Sequence, residues 1–203
     1  MEGKDNAPPL GHATGMAALV GGETMGVAPE VTIVSVNRGE LSTSEWLEQL
    51  KIAQRDIKKM GREEKSIVVT SLGLPDIEDE HAQEDIKAIK ELKLAIAELM
   101  ASHVPVVVPT GNFADKEDKY GQLRPYVDTY PALFESGDAF PIITVGSVNA
   151  EGKRCSFSQG GPQVTISAAG CSIPCLTLNG KIQQLEGTSL CRKLNLLRNL
   201  RRC

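Results

Sequence analysis

Short runs rich in valine and isoleucine alternate with amphipathic helical patterns through the first two thirds of this 203-residue chain, and that alternation constrains the fold more than any other feature. Residues 31–36, 67–71, 105–108 and 142–148 are apolar, β-branched and flanked by Gly or Pro, as are strands buried on both faces of a parallel sheet. Between the first two runs, Trp46, Leu50, Ala53, Ile57 and Met60 recur at steps of four and three, with Ser42 or Thr43 as the N-cap. Between the second and third, Ile86, Ile89, Leu92 or Lys93, Ile96 and Leu99 repeat the pattern, with lysines and glutamates on the opposite face. Strands joined through helices in this order predict right-handed crossovers and a parallel sheet covered by helices. A single domain over residues 1–203 is expected, because this length is ample for one buried core.

Composition removes several function classes. With 22 basic against 26 acidic residues and a net charge of -4, the chain has no basic field to hold a polyanion, so nucleic acid is not an expected partner. Its apolar runs fall far short of the roughly 20 residues that span a bilayer, so no membrane segment is expected either. Residues 1–10 contain charges and two prolines and do not read as a secretory signal, which leaves the compartment open. Five cysteines, Cys155, Cys171, Cys175, Cys191 and Cys203, lie in the last quarter without the paired CxxC spacing of a zinc ribbon. Cysteine often behaves as a small core residue, so buried free thiols are expected, with one disulfide pair left open and not assignable from the sequence. Neither Gly-x-Gly-x-x-Gly nor a Walker pattern occurs, which argues against a nucleotide-binding α/β domain.

In open α/β sheets, reactive groups gather beyond the carboxyl ends of the strands. Ser71-Leu72-Gly73 follows one strand-like run and Thr110-Gly111-Asn112 follows the next, so both fall at one sheet edge. His12 stands in Gly11-His12-Ala13-Thr14-Gly15, ahead of a helix-like stretch at 16–20, and Gly187-Thr188-Ser189 lies near the C-terminus. Alone, each is weak: such a serine is usually a helix cap, an Asn after Gly a turn residue, and a single His structural. In this order, and with Gly26-Val27-Ala28-Pro29, Cys155-Ser156-Phe157-Ser158 and Ala168-Ala169-Gly170 between them, the chain resembles the subtilisin-like serine proteases (peptidase S8, subtilases) over residues 11–189.

That resemblance implies a three-layer α/β fold with a mostly parallel sheet flanked by helices. It also implies a serine endopeptidase, which hydrolyses peptide bonds through an acyl-enzyme with a Ser/His/Asp triad. Ser189 would then be the nucleophile, His12 its base, and the Asn112 side-chain amide with the Ser189 N–H the donors to the oxyanion. Ser71, Leu72 and Gly73 resemble the edge where a polypeptide substrate adds as a strand, and Thr110 and Gly111 one wall of the primary pocket. A pro-segment or a protein inhibitor is a further partner class that the resemblance admits. Many relatives use calcium, but Asp115, Glu117 and Asp118 lack an EF-hand pattern and read as a solvated loop, so no metal or other cofactor is expected. His81 and His103 match no motif.

Two departures qualify these expectations. The family's triad aspartate lies upstream of the histidine at the end of a strand, whereas eleven residues precede His12 and Asp5 follows no apolar run. The strand that bears the aspartate is therefore expected to be missing, and activity to be very low. In subtilisin, the reference case, loss of the aspartate alone costs about 3 × 10⁴ in kcat. After Ser189 the chain runs Leu190-Cys191-Arg192-Lys193-Leu194 where the family has small residues and a proline, which makes residues 190–203 an atypical basic tail. Both departures suggest a fragment truncated at each end. The alternative is a catalytically dead pseudoprotease that binds peptides or inhibitors along the edge from Ser71 to Gly73.

Overall fold

The computed structural model describes residues 12–36, 42–71, 73–75, 82–137, 140–177 and 180–191. In chain order the elements are α1 (His12–Gly21), α2 (Thr43–Lys59), β1 (Val68–Val69), β2 (Leu74–Pro75), α3 (Ala82–Ala101), β3 (Val106–Pro109), β4 (Thr129–Tyr130), β5 (Ile143–Val148), β6 (Ile166–Ala169), β7 (Ile173–Leu176) and β8 (Ile182–Leu185). A four-stranded parallel sheet runs β1-β3-β5-β6, and two antiparallel pairs, β2 with β4 and β7 with β8, stand outside it.

Local chemistry explains the helix limits. Ser42 is the N-cap of α2, its Oγ accepting from the Glu45 N–H at 3.2 Å. Gly61 at φ +58 ends the same helix, with Arg62 N–H bonded to Ile57 C=O. Met60 is thereby the C-cap and 60% exposed, which corrects its place on the buried stripe. Trp46, Leu47, Leu50 and Ile57 of α2 share one cluster with Ile89, Leu92, Ile96 and Leu99 of α3. Leu92 takes the core position, while the Lys93 ammonium lies over the rings of Phe134 and Phe140.

β3 separates the layers by its period of two. Val106 and Val108 pack into the cluster with α2 and α3, while Val107 joins Val145, Ala168 and Cys191 in a second cluster. Apolar contact on both faces is why this run reads as continuous valine. The expected α/β sandwich forms, with a mostly parallel sheet between covering layers.

Residues 31–36 depart from expectation, since no strand forms there and Val31, Ile33 and Val34 are 39%, 45% and 53% exposed. A strand requires a neighbour for its peptide groups, and the sheet ends at β1 with no described strand beyond it. Ile86, 40% exposed, likewise falls outside the α3 core stripe. The buried thiols expected at Cys155 and Cys171 are instead a disulfide, with Cα atoms 6.3 Å apart. A Val148–Arg154 bridge folds Cys155 back beside β5, and β5–β6 pairing carries Cys171 to the same end of the sheet. Cys175 and Cys191 are buried outside that disulfide, and Cys203 lies outside the described residues.

Candidate active site

β1 and β3 pair in parallel with Val69 opposite Val107, so the residues after both strands emerge at one sheet edge. Ser71 and Gly73 are exposed there, and Leu72 lies outside the described residues. Gly73 leads into β2 and lies flush on Thr129, where an added Cβ would come within 3.1 Å of Oγ1. The Leu74–Tyr130 pairing holds that segment in place.

Thr110 is fully buried, with its N–H bonded to Val145 C=O at 3.1 Å, so it offers no surface of its own, and the half-buried Gly111 beside it carries what this segment exposes. Gly111 has φ +108, and the Gln159 side-chain carbonyl occupies the space of a Cβ, so only glycine fits. Gln159 also donates its N–H to Gly111 C=O at 3.1 Å and its Nε2 to the carbonyls of Arg124 (3.0 Å) and Tyr126 (2.8 Å). This fully buried glutamine therefore backs the Thr110 and Gly111 segment. Sequence reasoning missed it, because a polar residue in a Ser-Gln-Gly-Gly turn has no periodicity to betray burial.

Asn112 completes the segment. Its Oδ1 accepts from both Thr188 N–H (2.8 Å) and Thr188 Oγ1 (2.9 Å), across 76 positions of sequence. With Oδ1 so engaged, Nδ2 turns toward Gly187 and Ser189. Gly187 has φ +150, and a Cβ built on it would lie 3.3 Å from Ser189 Oγ, 3.5 Å from Asn112 Nδ2 and 3.9 Å from Ser189 N. A hydroxyl and two N–H donors therefore border one point above this glycine. The turn that carries Ser189 closes through Leu190 N–H to Gly187 C=O (3.0 Å) and Cys191 N–H to Thr188 C=O (3.3 Å). Ser189 is 6% exposed, and Thr188, which the sequence marked only as part of a tight turn, is fully buried. Residues 188–191 form a turn, and the remainder of the helix expected to begin at Ser189 falls outside the described residues.

His12 is the exposed first residue of α1. Gly15 brings α1 close to β7, since a Cβ there would sit 3.4 Å from Leu176 C=O and 3.5 Å from Cys175 Cβ. Leu19 packs with Cys175 and Leu190, so the helix bearing His12 shares a cluster with the neighbour of Ser189. Folding thus gathers Ser189, Asn112 and Thr188, and joins the His12 helix to them through Leu190. In the loop after Asn112, Asp118 accepts from Tyr120 N–H (2.8 Å) and Gln122 N–H (2.9 Å), which caps its own turn.

Known proteins share this arrangement of sequence and fold. The chain is 30% identical over 193 residues to an alkaline proteinase of Hapsidospora chrysogena, covering 93% of this chain and 42% of that protein. It is 27% identical over 191 residues to subtilisin-like proteinase Mp1 of Magnaporthiopsis poae, covering 89% and 41%. The crystal structure of a cold-adapted subtilisin-like serine proteinase superposes with a TM-score of 0.67 at 26% identity, over 91% of this chain and 57% of that one. Over nearly its whole length the chain is similar to subtilisin-like serine proteases. This subtilisin-like chain spans about two fifths of the length of the two curated proteinases. No family model matches it. The PatG macrocyclase, solved in complex with peptide, shares the subtilisin-like fold at a TM-score of 0.65 and 19% identity.

Proposed function

We propose that this subtilisin-like chain carries the acyl-transfer half of a serine endopeptidase site. Ser189 Oγ attacks the scissile carbonyl carbon while His12 takes the hydroxyl proton. Negative charge then develops on the carbonyl oxygen, and the Asn112 Nδ2–H and Ser189 N–H stabilise it with donors fixed before the reaction. His12 returns the proton to the leaving amine, the C–N bond breaks, and water hydrolyses the acyl-enzyme by the same steps in reverse order. The polypeptide substrate lies along Ser71, Leu72 and Gly73, paired through its main chain, with its side chain against the wall at Gly111, which the buried Thr110 supports.

The observation that carries this reading is the convergence of Ser189 Oγ, Ser189 N and Asn112 Nδ2 on one point above Gly187. A site of acyl transfer needs such a point within reach of both the nucleophile and the oxyanion donors. The imidazole still requires a carboxylate to fix its tautomer and stabilise its charge, and Asp5 does not fit that role. A covalent probe reads the nucleophile directly, without requiring complete turnover. A fluorophosphonate should label Ser189 in the folded protein, with labelling lost in Ser189→Ala and strongly reduced in His12→Ala. Peptide binding by folded protein that never labels would instead establish the pseudoprotease.

A further inference from the structure

Gly187 forms the floor of the convergent point, and two neighbours hold it. Its N–H bonds to Gly170 C=O at 3.0 Å, and its C=O accepts from Cys191 Sγ at 3.3 Å. Gly170 is clamped in turn, for its N–H bonds to Val148 C=O at 3.1 Å, and a Cβ on it would collide with Cys191 Sγ and Ser147 Oγ. Ser147 Oγ lies 3.0 Å from Cys155 Sγ, and Cys155 is bonded to Cys171, the residue that follows Gly170. The disulfide therefore closes a packed ring through Cys171, Gly170, Gly187 and Cys191 back to Ser147 and Cys155. Within it, Cys155 is buried and Cys171 is half-buried, so Cys171 is the more open end of the tie.

We propose that the Cys155–Cys171 disulfide, acting through Gly170 and Cys191, is a redox-sensitive strut that positions the turn carrying Ser189. This rests on the serine-protease reading for its effect on catalysis, whereas the mechanical link stands on the contacts alone. A dithiol reductant attacks the sulfur at the more open end, that of Cys171, and displaces the Cys155 thiolate. Its second thiol then closes the reductant's own disulfide and releases Cys171, so two electrons and two protons pass to the protein and one dithiol is oxidised. Gly170 then loses the covalent anchor beside it, and the Gly187 amide loses its fixed acceptor. Cys191 is a positioning residue here and touches no reacting atom.

Two readouts on the full chain, oxidised and dithiol-treated, test the strut. One is hydrogen exchange at the Gly187 amide, and the other is the rate of fluorophosphonate labelling at Ser189. Reduction should speed Gly187 exchange about tenfold, as for a local opening made easier. It should also slow labelling about tenfold without changing the concentration of a competing peptide needed for half-protection, because the nucleophile moves while the peptide edge does not. Reoxidation should restore both values, and the Cys155→Ala/Cys171→Ala variant should hold the reduced values with or without dithiol. Cys191→Ser, which keeps a donor to Gly187, should label faster than Cys191→Ala. Gly187 exchange that is unchanged once mass spectrometry finds both thiols alkylated overturns the strut, and if Ser189 still labels, the protease reading survives. Exchange that responds in a protein whose Ser189 never labels rejects the protease reading and supports the strut.

Discussion

Thr188 gives two hydrogen bonds to one amide oxygen, and this decides which end of Asn112 faces the nucleophile. Removing that amide in Asn112→Ala should lower kcat by about 10² to 10³ with little change in KM, the size known for loss of such a donor in subtilisin, the reference case. Thr188→Val keeps the main-chain donor and removes only the hydroxyl. One neutral hydrogen bond contributes about 1 kcal/mol, so the expected effect is a fall in labelling rate of roughly fivefold. Equal rates for Thr188→Val and the parent chain would mean that the hydroxyl does not orient Asn112. Gly170 poses a different problem, because its neighbours leave no room for a methyl group. Gly170→Ala should destabilise the fold by roughly 1 to 3 kcal/mol through overpacking, read from the urea midpoint.

Among the elements, α2 and α3 carry the larger core cluster, and their stability depends on caps and packing more than on surface charge. Ser42 satisfies one donor at the start of α2, so Ser42→Ala should cost about 1 kcal/mol in a denaturation titration. The Lys51–Glu91 pair links the same two helices at 3.3 Å with both side chains more than a third exposed. Lys51→Gln should therefore shift stability by less than about 0.5 kcal/mol, since solvent screens such a pair. A larger loss for Lys51 than for Ser42 would reverse this ranking.

Viewed whole, the molecule has an uneven surface at the β1 end of its sheet. The N–H groups of Val68 and Thr70 bond to Pro105 and Val107 of the β3 side, which turns the Val69 peptide groups outward, and no described strand meets them. Val69 is 41% exposed, and Val31, Ile33 and Val34 add further exposed apolar surface elsewhere on the chain. Apolar edge strands of this kind template intermolecular pairing. The chain on its own should self-associate as concentration rises, seen by light scattering. Val69→Lys should move the population toward monomer with little change in thermal midpoint, because an exposed edge side chain contributes little packing. Self-association unaffected by Val69→Lys would place the sticky surface elsewhere.

The βαβ order, the strands β1, β3 and β5, the helices α2 and α3 and the motifs in which Ser189, Asn112 and His12 stand were legible in the sequence. Periodicity reports which face of a segment is buried, and burial on both faces of a parallel strand leaves an unmistakable apolar run. The same signal misled at residues 31–36, because apolar periodicity records a segment's capacity to pair and says nothing of whether a neighbour is there. β6 and the β7–β8 hairpin went unread for the opposite reason, since Ser167, Ala168 and Ala169 are small and β8 carries two glutamines. Only the tertiary structure paired Cys155 with Cys171, set Gln159 behind Gly111 and locked Asn112 onto Thr188. Those contacts join residues 16, 48 and 76 positions apart, and chain closure over such distances depends on every element between them, which no local pattern encodes.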